Sequence, residues 1–362
     1  MENLGLKVDF WSGKRVLLTG HTGFKGGWAS LMLTMLGAKV HGLSLPPTGD
    51  SIFYNSVDME RRISGSTYAD ITSYQSCLDV IRQFKPDIII HMAAQALVRV
   101  SYSNPLETYM VNVMGVANLL EAARQVESVK VIVNVTSDKC YKNNEWLWPY
   151  RENEALGGHD PYSSSKACAE IISAAYRDSF FANSGVQLAT ARAGNVIGGG
   201  DWSKDRLIPD ILRSLDANET IPIRSPSSIR PWQHVLEPVT GYILLAQKLG
   251  ENQSSYSEAW NFGPEESDCW SVGRIAARVC EFSQKGSWNS PIVDQPHEAS
   301  LLKLDSSKAK ANLGWKPRWR VSEALKKTIE WHQKSLSGDD MYDFSVVQIM
   351  EYQANRRGDE SE

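Results

Sequence analysis

The stretch Lys14 to Trp28, K-R-V-L-L-T-G-H-T-G-F-K-G-G-W, limits what this chain can fold into more than any other. The apolar run ending at Thr19 predicts a buried strand, and Trp28 to Leu36 predicts a helix. Gly20, Gly23 and Gly26 therefore stand at a strand-to-helix turn, together with Thr22, Phe24 and Lys25. Backbone N–H groups and the helix dipole at such a turn can hold a pyrophosphate, and glycines let it approach closely. The spacing is G-x-x-G-x-x-G rather than G-x-G-x-x-G, so the flanking strand and helix give the turn its meaning. Parallel strands need helical crossovers, so the chain is expected to continue as an α/β fold.

Ala38 to Leu45 reads as the second strand. A dinucleotide site of this kind usually shows an acidic residue about 20 residues past the glycines, to hold the adenosine ribose. Ser44 stands there instead, and no arginine marks a 2′-phosphate, so a weaker hold on NAD is expected. Asp70, beside Ile71, offers an acceptor for the adenine amino group or, equally, an N-cap for a helix from Tyr74 to Phe84. Asp87 to His91 (D-I-I-I-H) is a third strand, passing into M-A-A-Q-A. Small side chains at Ala93 and Ala94 permit close approach of a cofactor, and Gln95 is expected to face the same cleft. Thr108 to Arg124 predicts an amphipathic helix with Asn112 on its apolar face. A buried amide needs partners, so Asn112 either orients an active-site lysine through water or satisfies a bend.

Val131 to Lys166 supplies the chemistry. V-I-V-N-V is a buried strand that ends in Thr136, Ser137, Asp138 and Lys139, and ligands of open parallel sheets bind at such strand ends. Downstream, Tyr162 precedes Lys166 by one helical turn if Pro161 opens a helix. A phenol beside an ammonium is a tuned acid/base, because positive charge favours phenolate. With Ser137 or Thr136 bonding the same alcohol, these groups form a hydroxyl-oxidising site. The aromatic loop between them, with Trp146, Trp148 and Tyr150, either covers a substrate or packs beneath itself.

Gln187 to Arg192 is another strand, and its glycine-rich sequel A-G-N-V-I-G-G-G-D-W is expected to be a flexible, substrate-contacting loop. Arg206, Arg224 and Arg230 follow in Pro- and Ser-rich loops, and arginine grips a diphosphate bidentately. Helices are expected at Val239 to Gln247, Val272 to Phe282 and Val321 to Trp331, with a short strand at Trp260 to Gly263. This organisation divides into a cofactor domain, 1–194, with a return segment near 235–262, a substrate lobe, 195–354, and a flexible charged tail, 355–362.

The formal net charge of −4 gives no reason to expect nucleic acid or an anionic membrane as partner. No stretch reaches the roughly 18 apolar residues of a membrane span, and Met1 to Ser12 lacks a signal-peptide core, so a cytoplasmic enzyme is expected. The 5 cysteines show neither a C-x-x-C pair nor metal-ligand spacing, which predicts mostly buried reduced thiols and no metal. The helices bearing Asn112 and Tyr162 could pair across a two-fold axis, so a homodimer or homotetramer is expected.

T-G-x-x-G-F-x-G, H-M-A-A-Q, T-S-D before Y-S-S-S-K, R-A-G-N-V-I-G-G-G-D-W and N-F-G-P occur here in the order of the extended short-chain dehydrogenase/reductase family, which the chain resembles over about three quarters of its length. The resemblance implies a Rossmann-type doubly wound parallel sheet with a smaller α/β C-terminal substrate-binding lobe, and NAD as cofactor. Within the family, G-H-T-G-F-K-G-G-W, D-P-Y-S-S-S-K and R-P-W-Q-H-V look like the nucleotide-sugar 4,6-dehydratases that take CDP-D-glucose. Members of that branch form the 4-keto-6-deoxy sugar nucleotide used in deoxysugar biosynthesis of the O-antigen type.

By that resemblance Tyr162 takes the 4-hydroxyl proton, Ser137 contacts the same hydroxyl, and Asp138 protonates the departing 6-hydroxyl. Lys139 stands where dTDP-glucose dehydratases carry a glutamate as C5 base, and a lysine serves there only if its pKa is lowered by several units. Asn195, Arg206 and Arg230 are the residues carried over for the diphosphate. A sugar-nucleotide 4-epimerase, a dehydratase of another nucleotide sugar and a non-catalytic NAD(P) sensor remain open alternatives.

Overall fold

A computed structural model describes residues 1–251, 254–291 and 299–355. Six strands alternate with helices through the first half of the chain: β1 (Arg15–Thr19), β2 (Lys39–Ser44), β3 (Gly65–Tyr68), β4 (Ile88–His91), β5 (Val131–Val135) and β6 (Gln187–Ala193). With β10 (Ala259–Phe262) they form one sheet in the order β10-β6-β5-β4-β1-β2-β3, every pair parallel. This is the doubly wound Rossmann-type sheet.

Both faces of the sheet are covered, which is why β4 and β5 read as nearly continuous apolar runs, broken only by the buried His91 and Asn134, rather than alternating ones. Alternate residues part company across it. Val16, Leu18, Ile88, Ile90, Val131 and Val133 enter one core with Trp28, Val239 and Ile243, while Leu17, Ile89, Ile132 and Leu188 enter another with Ile81, Val116 and Leu120. The first face is closed by the helices Phe24–Met35 and Leu236–Gly250, the second by Tyr74–Phe84 and Gly115–Arg124. The strand order reverses between β1 and β4, and a cleft opens beyond their C-terminal ends, as the winding rule requires.

A smaller unit grows from β6. β7 (Asn195–Ile197), β9 (Ile229–His234) and β11 (Cys269–Ser271) make a three-stranded sheet, and β8 (Ile221–Pro222) pairs with β12 (Trp288–Asn289). Its core brings together Ile208, Ile211, Leu212, Ile275, Val279, Leu325 and Ile329 from three helices.

Several expectations change. Gly65–Tyr68 is a strand that its polar, half-exposed sequence does not announce. The stretch from Thr108 to Arg124 is helical, but Met110–Met114 winds as a π-helix. The glycine-rich sequel to β6 begins as a strand and then runs as an irregular segment along the cleft. Asn195–Ile197 is paired to β9, and a Cβ added at Gly198 would lie 2.7 Å from Val235. Helix Tyr74–Phe84 is capped by Ser73, not Asp70, whose carboxylate instead accepts from Thr72 N. Met341–Ala354 is a further helix. Of the five free thiols, Cys77 and Cys140 are buried and the other three are partly exposed. The tail beyond Asn355 lies outside the described residues.

Candidate active site

The cleft has a volume of about 790 Å³, within the range of small-molecule sites. Its cofactor-side wall begins at the glycine turn. Gly20 has φ +74° and lies so near the end of β4 that a Cβ there would stand 2.8 Å from Ala93 N. A Cβ on Gly26 would come to 2.8 Å from His21 Cα and closer still to the Gly20 carbonyl. Gly23 caps the helix Phe24–Met35 without a side-chain hydrogen bond, leaving the first N–H groups of the helix to be satisfied at the cleft. Ser44, Asp70, Ile71, Ala93 and Ala94 line the same wall. Ser44 Oγ is engaged with Thr22 Oγ1 at 3.0 Å. These features suit a dinucleotide: a helix N-terminus free to receive a pyrophosphate and a floor without bulky side chains.

Gln95 and Asn112 do not line the cleft. The Gln95 side chain turns back to Leu97 and to Thr108 Oγ1 (2.9 Å). Asn112 is buried in the π-helical turn, accepts from Gln95 N at 2.8 Å, and donates to Gln95 O and Ser165 Oγ, each at 2.9 Å. Both its donors and one acceptor site pin the loop after β4 to the helix that bears Tyr162, which, away from the cleft lining, makes it a brace.

That helix, Pro161–Tyr176, starts as its sequence predicts, with Pro161 at its first position and Asp160 Oδ1 accepting from Ser163 N at 2.9 Å. Tyr162 and Lys166 both line the cleft and are 8% and 6% exposed, so little water reaches either. Burial outweighs every other influence on the phenol and pushes its pKa up to about 12, although the Ser137 hydroxyl and Arg206 favour phenolate. The lowering expected from a neighbouring ammonium is thus not present in the protein alone. Burial takes Lys166 down to about 8, opposed by Glu170 and Cys140.

The choice between the two hydroxyls at the end of β5 is made by Glu170, whose carboxylate takes the Thr136 hydroxyl. Ser137 is left for the cleft, within hydrogen-bonding reach of Tyr162. Its Oγ also donates to Asp138 Oδ1 at 3.1 Å and accepts from Lys139 N at 3.2 Å. The Asp138 carboxylate is 1% exposed and sits against Gly194, where a Cβ would come to 3.2 Å from Oδ2 and 2.5 Å from Pro231 Cγ. Lys139 Nζ stands 3.9 Å from Asp138 Oδ1 and lines the cleft.

Asn195 and Arg206 occupy the opposite wall, Arg206 braced by Asp201 at 3.1 Å. Arg230 does not reach it. The guanidinium is buried in β9 and donates to the carbonyls of Ile229 and Ala299. Arg224 and Arg99 take its place at the mouth, both facing Asp205 Oδ1, at 3.2 and 3.7 Å. Lys25 completes a basic floor, held down to about 7 by enclosure, by Arg206 and by Lys166. Arg99 escaped the sequence reading, where it sits inside an apolar helix start; V-R-x-S straight after the strand-end alanines was the available signal. Trp146 stacks on Tyr150, and Tyr150 on Tyr141, so Trp146 and Tyr150 pack beneath the loop, while Trp148 is 70% exposed; none of these three loop aromatics lines the cleft.

The GDP-mannose 4,6 dehydratase family model matches residues 17–328. The chain is 52% identical over 351 residues to CDP-glucose 4,6-dehydratase of Salmonella typhimurium (strain LT2), covering 95% of this chain and 97% of that one. Among solved structures, dTDP-glucose 4,6-dehydratase from Streptomyces venezuelae with NAD bound superposes with a TM-score of 0.77 at 22% identity, over 90% of this chain and 98% of that one. UDP-glucose 4-epimerase of Thermotoga maritima with UDP-glucose does so at 0.75 and 21%, over 89% and 99%. The fold is therefore common to dehydratases and epimerases, and the choice between them rests on side chains.

Proposed function

This chain belongs to the GDP-mannose 4,6 dehydratase family, and on that footing we propose that it is an NAD-dependent CDP-D-glucose 4,6-dehydratase. The reading rests on one observation: Asp138 and Lys139, an acid and a candidate base, share a cleft with Ser137, Tyr162 and Lys166. An epimerase needs the last three, but has no use for a pair that removes water. The 52% identity with the Salmonella enzyme supports CDP-glucose as the substrate.

Bound in the glycine-turn wall, NAD would supply the hydride acceptor for sugar C4 in its oxidised form and, once reduced by that transfer, the hydride donor for C6. Gly20, Gly23, Gly26 and Thr22 would hold its pyrophosphate end, and Ala93, Ala94, Tyr162 and Lys166 would border the reactive end. Tyr162 takes the 4-hydroxyl proton, Ser137 orients that hydroxyl, and the Lys166 ammonium stabilises the phenolate. A ketone at C4 acidifies the C5 hydrogen, which Lys139 would remove in its neutral amine form, becoming the ammonium. Asp138, held in place by Ser137 and shielded by Gly194, gives its proton to the leaving 6-hydroxyl. Asn195, Arg206 and Arg224 grip the diphosphate, with Asp201 and Asp205 fixing the guanidinium planes.

We also propose a homodimer. Leu106, Met110 and Met114, spaced four residues apart, are 80%, 49% and 45% exposed, and Ile171 on the Tyr162 helix is 57% exposed. Sedimentation of the purified protein checks it.

Turnover of CDP-glucose with NAD⁺ in deuterated water tests the activity. The expected product is a 4-keto-6-deoxy sugar nucleotide with deuterium at C5 and no net NADH. Hexose inverted at C4 would replace this reading with an epimerase, and NAD binding without product would replace it with a sensor.

A further inference from the structure

Directly behind the catalytic groups lies a buried ion pair that the proposed chemistry does not use. Glu170 Oε2 meets Arg192 Nη2 at 2.8 Å, with side chains 3% and 4% exposed. A pair this dry often contributes less than a hydrophobic replacement would, so stability alone gives little reason for it. Its neighbours supply another.

Tyr162, Lys166 and Glu170 are spaced four residues apart on one helix, so phenol, ammonium and carboxylate follow one another along a single buried face. The remaining capacity of Glu170 is filled by the hydroxyls of Thr136 and of Thr190, the latter at 2.6 Å. Thr136 is the residue immediately before Ser137, Asp138 and Lys139. Arg192, on β6, also donates to Tyr141 Oη at 2.8 Å and to Glu152 O at 3.1 Å, and Tyr141 passes the chain on to Asn261 Oδ1 at 2.7 Å on β10. One hydrogen-bonded unit thus joins the catalytic helix, the end of β5, the turn after it, β6 and β10.

We propose that Glu170 and Arg192 are a positioning pair for the acid/base machinery: Glu170 sets its carboxylate one helical turn behind Lys166 and holds the β5 end through Thr136, while Arg192 holds Glu170. This rests on the functional reading given above. The titratable groups facing Lys166 come from every side. Glu170 and Tyr162 lie on its own helix, Cys140 in the turn after β5, His91 at the end of β4, and Lys25 in the glycine-turn helix. Glu170 is the carboxylate among those acting on the ammonium, with Asp138 balancing Lys25. Burial alone would raise Glu170, but Arg192 and the two threonines bring it below the usual carboxylate range. It is therefore ionised wherever Lys166 titrates.

The test is the pH dependence of Lys166 acylation by acetic anhydride, read by mass spectrometry in wild type, Glu170→Gln and Glu170→Asp, beside kcat and KM profiles for CDP-glucose. Glu170→Gln is expected to lower the Lys166 midpoint by about one to two pH units, as loss of one charge a helical turn away predicts. The alkaline limb of kcat should fall with it, KM should stay within about threefold, and Glu170→Asp should restore most of the midpoint. Should Glu170→Gln fail to fold, Glu170→Gln/Arg192→Met removes both charges and is read in the same way. An unchanged midpoint in a folded variant, or an effect confined to KM, overturns the proposal. If wild type forms no 4-keto product, the functional reading fails, and the acylation midpoints still decide the role of the pair.

Discussion

Two of the glycines of the first turn make a prediction that separates folding from binding. A Cβ at Gly26 would lie 2.8 Å from His21 Cα, inside the 3.0 Å limit that real Cβ atoms respect, and nearer still to the Gly20 carbonyl; at Gly23 the nearest atom is Gly20 O at 3.3 Å. The atoms crowding Gly26 are backbone and cannot rotate away, so the helix start must move. Overpacking of this kind costs about 1–3 kcal/mol, on the order of 2 °C in Tm per kcal/mol for a chain of this size. Gly26→Ala is therefore expected to melt several degrees below wild type with no cofactor present. Gly23 sits at the N-cap facing the cleft. Alanine there costs the fold less than about 1 kcal/mol, but places a methyl where the pyrophosphate must lie. Gly23→Ala should melt near wild type and bind NAD at least tenfold more weakly, about 1.4 kcal/mol. Calorimetric melting and NAD titration of both variants check the pair. A Gly26→Ala protein as stable as wild type, or a Gly23→Ala protein that binds NAD normally, would refute the steric argument.

His21, His91 and His234 are buried, and burial lowers their pKa values to about 4, 3 and 3. Below pH 6.5 the unfolded chain binds protons that the folded one refuses, so each histidine withdraws up to about 1.4 kcal/mol per pH unit as pH falls from 6.5 toward 4. Denaturant midpoints between pH 7 and 5 should drop steeply, and a flat profile would contradict the burial. Arg224→Ala should raise KM for CDP-glucose at least tenfold while leaving Tm nearly unchanged, whereas Arg230→Ala should lower Tm and affect KM less; steady-state kinetics and melting curves show which arginine meets substrate. Lys139→Gln should reduce turnover by about two orders of magnitude and suppress C5 deuterium exchange; activity near wild type would remove Lys139 from the base role.

The sequence by itself determined the parallel sheet, the glycine turn and the spacing of Tyr162 and Lys166. Each of these depends on neighbours within a few positions. A strand buried on both faces is apolar nearly throughout, so I-I-I-H and V-I-V-N-V identify themselves. Two residues four apart in a helix must share a face, whatever packs against it. Gly65–Tyr68 stayed hidden because an edge strand beside polar groups has no burial pattern to display.

Tertiary structure alone decided which polar groups are spent and which are free. Thr136 and Ser137 are equivalent on paper, yet Glu170, 34 residues later, takes the first and leaves the second to the cleft. Arg224 and Arg230 read alike in their Ser- and Pro-rich surroundings, yet the pairing of β9 turns Arg230 inward to the Ile229 and Ala299 carbonyls. Asn112 and Gln95 belong to each other rather than to a ligand. Burial is a property of local pattern, but a hydrogen bond needs a particular partner at a particular angle, and only the folded chain brings that partner near.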